Sequence, residues 1–169
     1  MIDEIMKQME KINYGYKDKY NKIHKGVDEM FALNFVLETP DEVINNKIGV
    51  CWDQVELERK LFEKYKIKFN TFFIVHYDND KCPTHTFLIY EESNHYYWFE
   101  NSWEIFRGIH KYNSLNDALI DIKNKFIKYE LNNNYNSMNL CIYKYDKPNY
   151  GISCIDFYKH CEKGKNIIL

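Results

Sequence analysis

Gly49-Val50-Cys51-Trp52-Asp53 is the stretch on which the fold turns. A glycine closes one element and a thiol opens the next. From Cys51 onward Leu57, Leu61 and Tyr65 recur at helical spacing and Phe62 widens the stripe, while Glu56, Arg59, Lys60 and Glu63 fall outside it. The pattern predicts a helix beginning at Cys51. Just upstream, Thr39-Pro40-Asp41-Glu42 combines an N-cap residue, a proline at the first helical position and Glu42 three residues after the cap. A short helix is expected from there to about Lys47. Gly49, between the two helices, would let a substrate backbone approach closely.

Downstream the period changes to that of strands. Phe69 to His76, Thr84 to Glu91 and His95 to Asn101 are rich in aromatic and β-branched residues, the last two joined by a short turn at Ser93-Asn94. Ser114-Leu115-Asn116-Asp117 opens a further helix, expected to about Leu131. Asn139 to Tyr145 reads as a last strand and Ser153 to Cys161 as a closing helix, with Asn132-Asn133-Asn134-Tyr135-Asn136 as a loop. Upstream, residues 2–12 and about 17–33 are expected to be helical. Helices, a thiol-bearing helix and a strand meander make an α+β layered domain, with that helix packed on an antiparallel sheet.

The chain has 169 residues and reads as a single domain spanning 1–169, long enough to bury a core unaided. Its 15 Tyr, 11 Phe and 3 Trp come with abundant Asn, Lys and Ile, a pattern of codon bias. With a net charge of -2 there is no basic groove to turn those rings into stacking platforms, so no nucleic-acid partner is expected. The acidic Met1-Ile2-Asp3-Glu4 start is not a secretory leader. No run approaches the ~18 apolar residues of a membrane span, and no membrane partner is expected. Five scattered cysteines, an odd number, argue for reduced thiols and a cytoplasmic location.

Three segments carry the chemistry: the Cys51 stretch, Thr84-His85-Thr86, and Trp98-Phe99-Glu100-Asn101-Ser102-Trp103. A thiol at a helix start faces unpaired N–H groups and the positive dipole end. An imidazole can take its proton, and a third group must orient that imidazole. The backbone N–H of Cys51 is then available as an oxyanion donor. Asn45 and Asn46 lie a little upstream of the thiol, and Trp52 or Trp103 could line such a site. Asp53, two residues from the thiol, is expected to turn away or to bond the local backbone. Cys82-Pro83-Thr84-His85 and His160-Cys161 could in principle hold zinc, but neither has paired C-x-x-C spacing. No metal and no cofactor is expected.

Gly49-x-Cys51-Trp52 opening a helix, His85 leading a strand, and an aromatic strand ending in Glu100-Asn101-Ser102-Trp103 resemble the transglutaminase-like core of the papain-like thiol enzymes. The resemblance, to a small bacterial-type single-domain member, covers about residues 39–112. It implies an acyltransferase or amide hydrolase working through a Cys thioester, of transglutaminase, peptidase or deamidase type, on a peptide or protein amide. Cys51 would be nucleophile and His85 base. Papain-type proteases separate Cys and His more widely than 51 to 85, so the compact spacing favours the transglutaminase-like side. An inactive transglutaminase-like binding module is the alternative.

The third residue depends on strand register. An even loop, such as Ser93-Asn94, puts His85 and Phe87 on one face with Trp98 and Glu100. An odd loop, such as residues 92–94, puts Asn101 opposite His85. Two-residue hairpin loops are the commonest, which favours Glu100 and leaves Asn101 as the alternative.

Overall fold

The computed structural model describes residues 1–78 and 81–169. Among the described residues the helices are α1 (Ile2–Met9), α2 (Phe31–Asn34), α3 (Pro40–Asn46), α4 (Cys51–Lys64), α5 (Leu115–Tyr129) and α6 (Cys154–Glu162). The strands are β1 (Tyr16–Lys17), β2 (Ile23–His24), β3 (Phe69–His76), β4 (Thr84–Glu92), β5 (His95–Glu100), β6 (Gly108–Tyr112), β7 (Leu140–Tyr145) and β8 (Lys165–Asn166). The last six form one sheet in the order β6-β5-β4-β3-β7-β8, each pair antiparallel. No helix among the described residues is long and apolar enough to cross a membrane.

The expected α+β architecture is present, and the sheet's alternation explains its layers. On one face Phe73 and Val75 meet Cys51, Trp52 and Val55 of α4, and beside them Leu88 and Phe99 meet Leu57, Leu61 and Phe62. On the other face Phe72, Ile74, Phe87, Ile89 and Trp98 pack with Ala118, Leu119, Ile122 and Phe126 of α5. Successive strand residues thus serve opposite layers, as period-2 geometry requires. Truncating a fully buried ring such as Phe62 would cost about 3–5 kcal/mol.

The caps read from sequence are formed. Thr39 Oγ1 accepts from the Glu42 N–H at 3.2 Å while Glu42 Oε2 accepts from the Thr39 N–H at 2.8 Å. Ser114 and Ser153 cap α5 and α6.

Two expectations fail. Residues 17–33 are not one helix. β1 and β2 pair as a hairpin, Asn21 takes φ 64, and the Asp18 carboxylate accepts the N–H groups of Tyr20 and Lys22 at 2.9 Å each. A short acidic side chain here outcompetes the helix for backbone donors. His24 then bridges Asp18 (2.7 Å) and Asp28 (2.8 Å) and stacks on Tyr16 at 4.3 Å. The second failure is the expected polar face of α4. Glu56, Glu58 and Arg59 are buried, because this side of the helix faces the sheet: Glu56 and Arg59 meet Tyr145 and Thr71, and Glu58 lies near enough to His85 and Glu100 to feel their charges. Arg59 answers the charge of Glu56 at 2.8 Å and donates to Thr71 Oγ1 at 2.6 Å. The edge strand β6, which opens at Gly108 with φ +142, has too short an apolar run to announce itself.

Candidate active site

Cys51 is the first residue of α4, following an extended Val50. That placement is built by Asp53, whose Oδ2 accepts from the Val50 N–H at 3.1 Å and whose Oδ1 accepts from the Glu38 N–H at 3.0 Å. Asp53 therefore turns from the thiol toward local backbone. Burial pushes its carboxyl well above the usual range, opposed by those two N–H groups and reinforced by the nearby Glu38 charge. Gln54 Nε2 fixes the Gly49 carbonyl at 2.8 Å. Gly49 serves packing and not substrate approach: a Cβ there would lie 3.0 Å from Asp53 Cβ. First-turn N–H groups of α4 have no acceptor within the helix and surround the sulfur's end of it. Trp52 stacks on Phe157 at 4.3 Å and donates its indole N–H to Thr84 Oγ1 at 3.3 Å, joining α4 to the start of β4.

His85 is the second residue of β4. Ser93 and Asn94, both at positive φ, form a two-residue turn, and the register pairs Leu88 with Phe99. The even-loop register is the one formed, so His85 shares a face with Phe87, Trp98 and Glu100. The ring Nε2 lies 2.7 Å from Glu100 Oε2. The Glu100 carboxylate is further held by Trp98 Nε1 (3.2 Å), Ser102 Oγ (3.0 Å) and the Trp103 N–H (2.7 Å). Trp103 covers the imidazole, ring centres 5.0 Å apart.

The electrostatics follow from burial and pairing. Burial alone would lower the imidazole pKa, but the Glu100 charge and the hydrogen bonds to Cys51 and Glu100 outweigh it and push the value up to about 10. Glu100, which burial would raise, is held below the ordinary carboxylate range by the His85 charge and its donors. His85 is thus bonded to the Glu100 carboxylate on one side and feels the Cys51 thiol as a second partner.

Asn101 is brought close by sequence and kept out by orientation. Its Nδ2 donates to Gln54 Oε1 at 2.7 Å and to the Met9 carbonyl at 2.9 Å. It ties β5 to α4 and α1, on the face of the sheet opposite His85. Asn46 donates to Glu38 Oε2 at 3.1 Å and is likewise committed elsewhere. Of the residues weighed for zinc, His85 is engaged with Glu100 and His160 with the Asp146 carbonyl, and no group of three candidate ligands is gathered among the described residues.

Sequence reading missed Glu58. It lies seven residues beyond Cys51, on the same face of α4. It is buried, its Oε2 meets no hydrogen-bond partner among the described residues, and burial pushes its carboxyl well above the usual range. The signal the sequence offered was its place beside Asp53 and Glu56 on α4, and acids in the first turns of a helix are favoured by its dipole without any further role.

Cys51 opens into a cleft of about 770 Å³, and His85 into a neighbouring one of about 580 Å³; Tyr14, Thr84 and Glu130 line both. Comparison with known proteins adds one match. A family model described as a transglutaminase-like domain matches residues 1–129, a span that includes Cys51, His85 and Glu100. No curated protein matches the chain.

Proposed function

We propose, from the premise that this chain belongs to the transglutaminase-like family, that it is a thiol-dependent amide acyltransferase or hydrolase with Cys51, His85 and Glu100 as its working triad. The observation that supports this reading best is the 2.7 Å bond from His85 Nε2 to Glu100, which leaves the other ring nitrogen for the Cys51 thiol.

In the proposed first half-reaction His85 already holds the proton, as its raised pKa favours, and the Cys51 sulfur attacks as thiolate the carbonyl carbon of a peptide or protein amide. A C–S bond forms, and the oxyanion is met by first-turn N–H groups of α4. His85 then gives the proton to the departing nitrogen, the C–N bond breaks, and the acyl group remains as a thioester. In the second half, an amine or a water gives its proton to His85 and attacks the thioester carbonyl. The C–S bond breaks, and the sulfur leaves as thiolate beside the protonated His85. Glu100 fixes the ring and balances the imidazolium charge in both halves.

The test is trapping. Intact mass measured during turnover of an amide substrate is expected to show an acyl adduct, mapped by digestion to Cys51 and lost in Cys51→Ala. A wild-type chain that forms no adduct and has no fast thiol at Cys51 would be a binding module.

A further inference from the structure

The two clefts that meet at the triad differ in lining. Cys51 belongs to the larger, whose other walls include Val27, Phe31, Trp52, Pro83, Ile155 and Tyr158. Val27 and Ile155 are 54% and 62% exposed there, bulky apolar side chains left in solvent beside a nucleophile. His85 belongs to the smaller cleft, whose rim carries Glu10, Glu104, Glu130 and Arg107. One cleft is apolar and the other is charged.

Resting on the triad reading above, we propose that the larger cleft is the acyl-side pocket and that it selects substrates with a bulky apolar side chain, aromatic or branched aliphatic, next to the scissile carbonyl. The direction follows from the chemistry. The acyl half stays bonded to sulfur, so it extends over the wall that holds Cys51. The nitrogen half receives its proton from His85, so it leaves over the wall that holds the imidazole. The occupant follows from the lining. A cleft of about 770 Å³ lies within the ~300–1,000 Å³ span of small-molecule sites. Each apolar group transferred into it gains about 25 cal/mol per Å² removed from water. A charged group would be desolvated against Val27, Phe31 and Ile155 with only Lys159, Glu162 and Glu130 at the margin, charges that leave no single sign to recognise. A carboxamide chain would leave donors and acceptors unmatched on the same walls.

The experiment compares rates of Cys51 labelling by three peptidyl acyloxymethyl ketones that differ only in the side chain beside the ketone: phenylalanine-like, glutamine-like and aspartate-like. Iodoacetamide, which has no side chain to place, is run alongside. The phenylalanine-like probe is expected to label Cys51 at least tenfold faster than either of the others. Ile155→Asp, at an exposed first-turn position of α6 where an acid is well tolerated, should collapse that ratio toward one, and Val27→Asp should do the same from the facing wall. Equal rates, or a preference for the glutamine-like or aspartate-like probe, with Cys51 fast toward iodoacetamide, would overturn the pocket assignment alone. A Cys51 slow toward iodoacetamide would overturn the triad reading and the assignment with it.

Discussion

His85 Nε2 lies 2.7 Å from Glu100 Oε2, and three further donors close around the same carboxylate. Both members of the pair are buried, so the ring is held in one orientation, the one the proposed triad requires. Glu100→Gln keeps the side-chain length and loses the charge. It is expected to slow acyl-enzyme formation by on the order of 10²–10⁴-fold without abolishing it, because the nucleophile remains. Stopped-flow or quenched-flow mass measurements of the adduct check this.

Asn101→Ala is expected to act on stability instead. It removes donors from Gln54 Oε1 and the Met9 carbonyl, both buried, at a cost of about 1–3 kcal/mol. Thermal unfolding should show the loss, while the rate per folded molecule changes little. A crippled rate in a well-folded Asn101→Ala, with Glu100→Gln harmless, would transfer the third role to Asn101.

One thiol should stand out in alkylation. Below neutral pH, iodoacetamide is expected to modify Cys51 first, and His85→Ala should remove that advantage. Burial pushes Cys154 up to about 11 and raises Cys161 as well, so both should react only after unfolding. Peptide mapping against time separates them from Cys82, which is exposed and serves as the internal reference.

Glu58 carries a pH signature. Its pKa is raised in the fold first by burial, then by the charges of Glu100, Glu56 and Cys51, with His85 pulling the other way. An acid whose folded pKa is raised stays protonated in the native state while the unfolded chain ionises above the ordinary value of 4.5. It therefore costs stability as pH climbs from there toward the folded value. Glu58→Gln, which cannot ionise, should raise Tm at neutral pH and should lose that gain as pH falls to about 4.5.

The β1–β2 hairpin has a dependence with two limbs. His24 is raised above its ordinary 6.5, chiefly by its hydrogen bond to Asp18. Asp18 is lowered from 3.8 chiefly by its bond to His24, and Asp28 from 3.8 chiefly by its bond to Tyr16. The histidine's contribution is complete below 6.5 and is lost as pH rises through its folded value. The aspartates' contribution is complete above 3.8 and is lost as pH falls through theirs. Hydrogen exchange at Tyr16 to His24 should be slowest, relative to the intrinsic rate, between those two ordinary values. His24→Ala should flatten the alkaline limb.

The sequence by itself determined what depends on near neighbours. The Thr39 cap, the start of α4 at Cys51, the strands Phe69–His76 and Thr84–Glu92 and the Ser93-Asn94 turn are set by side chains within a few residues of the backbone they shape. That turn also carries the choice between Glu100 and Asn101, because a two-residue loop fixes which face each residue takes. Tertiary structure alone decided what depends on distant partners. Residues 16–24 became a hairpin because Asp18, His24, Asp28 and Tyr16 satisfy one another more fully than helical turns would. The charged side of α4 was buried because it faces the sheet, where Thr71 and Tyr145 meet Arg59 and Glu56. Periodicity records which residues share a face of one element. Whether that face meets solvent or another element is a property of the packed chain.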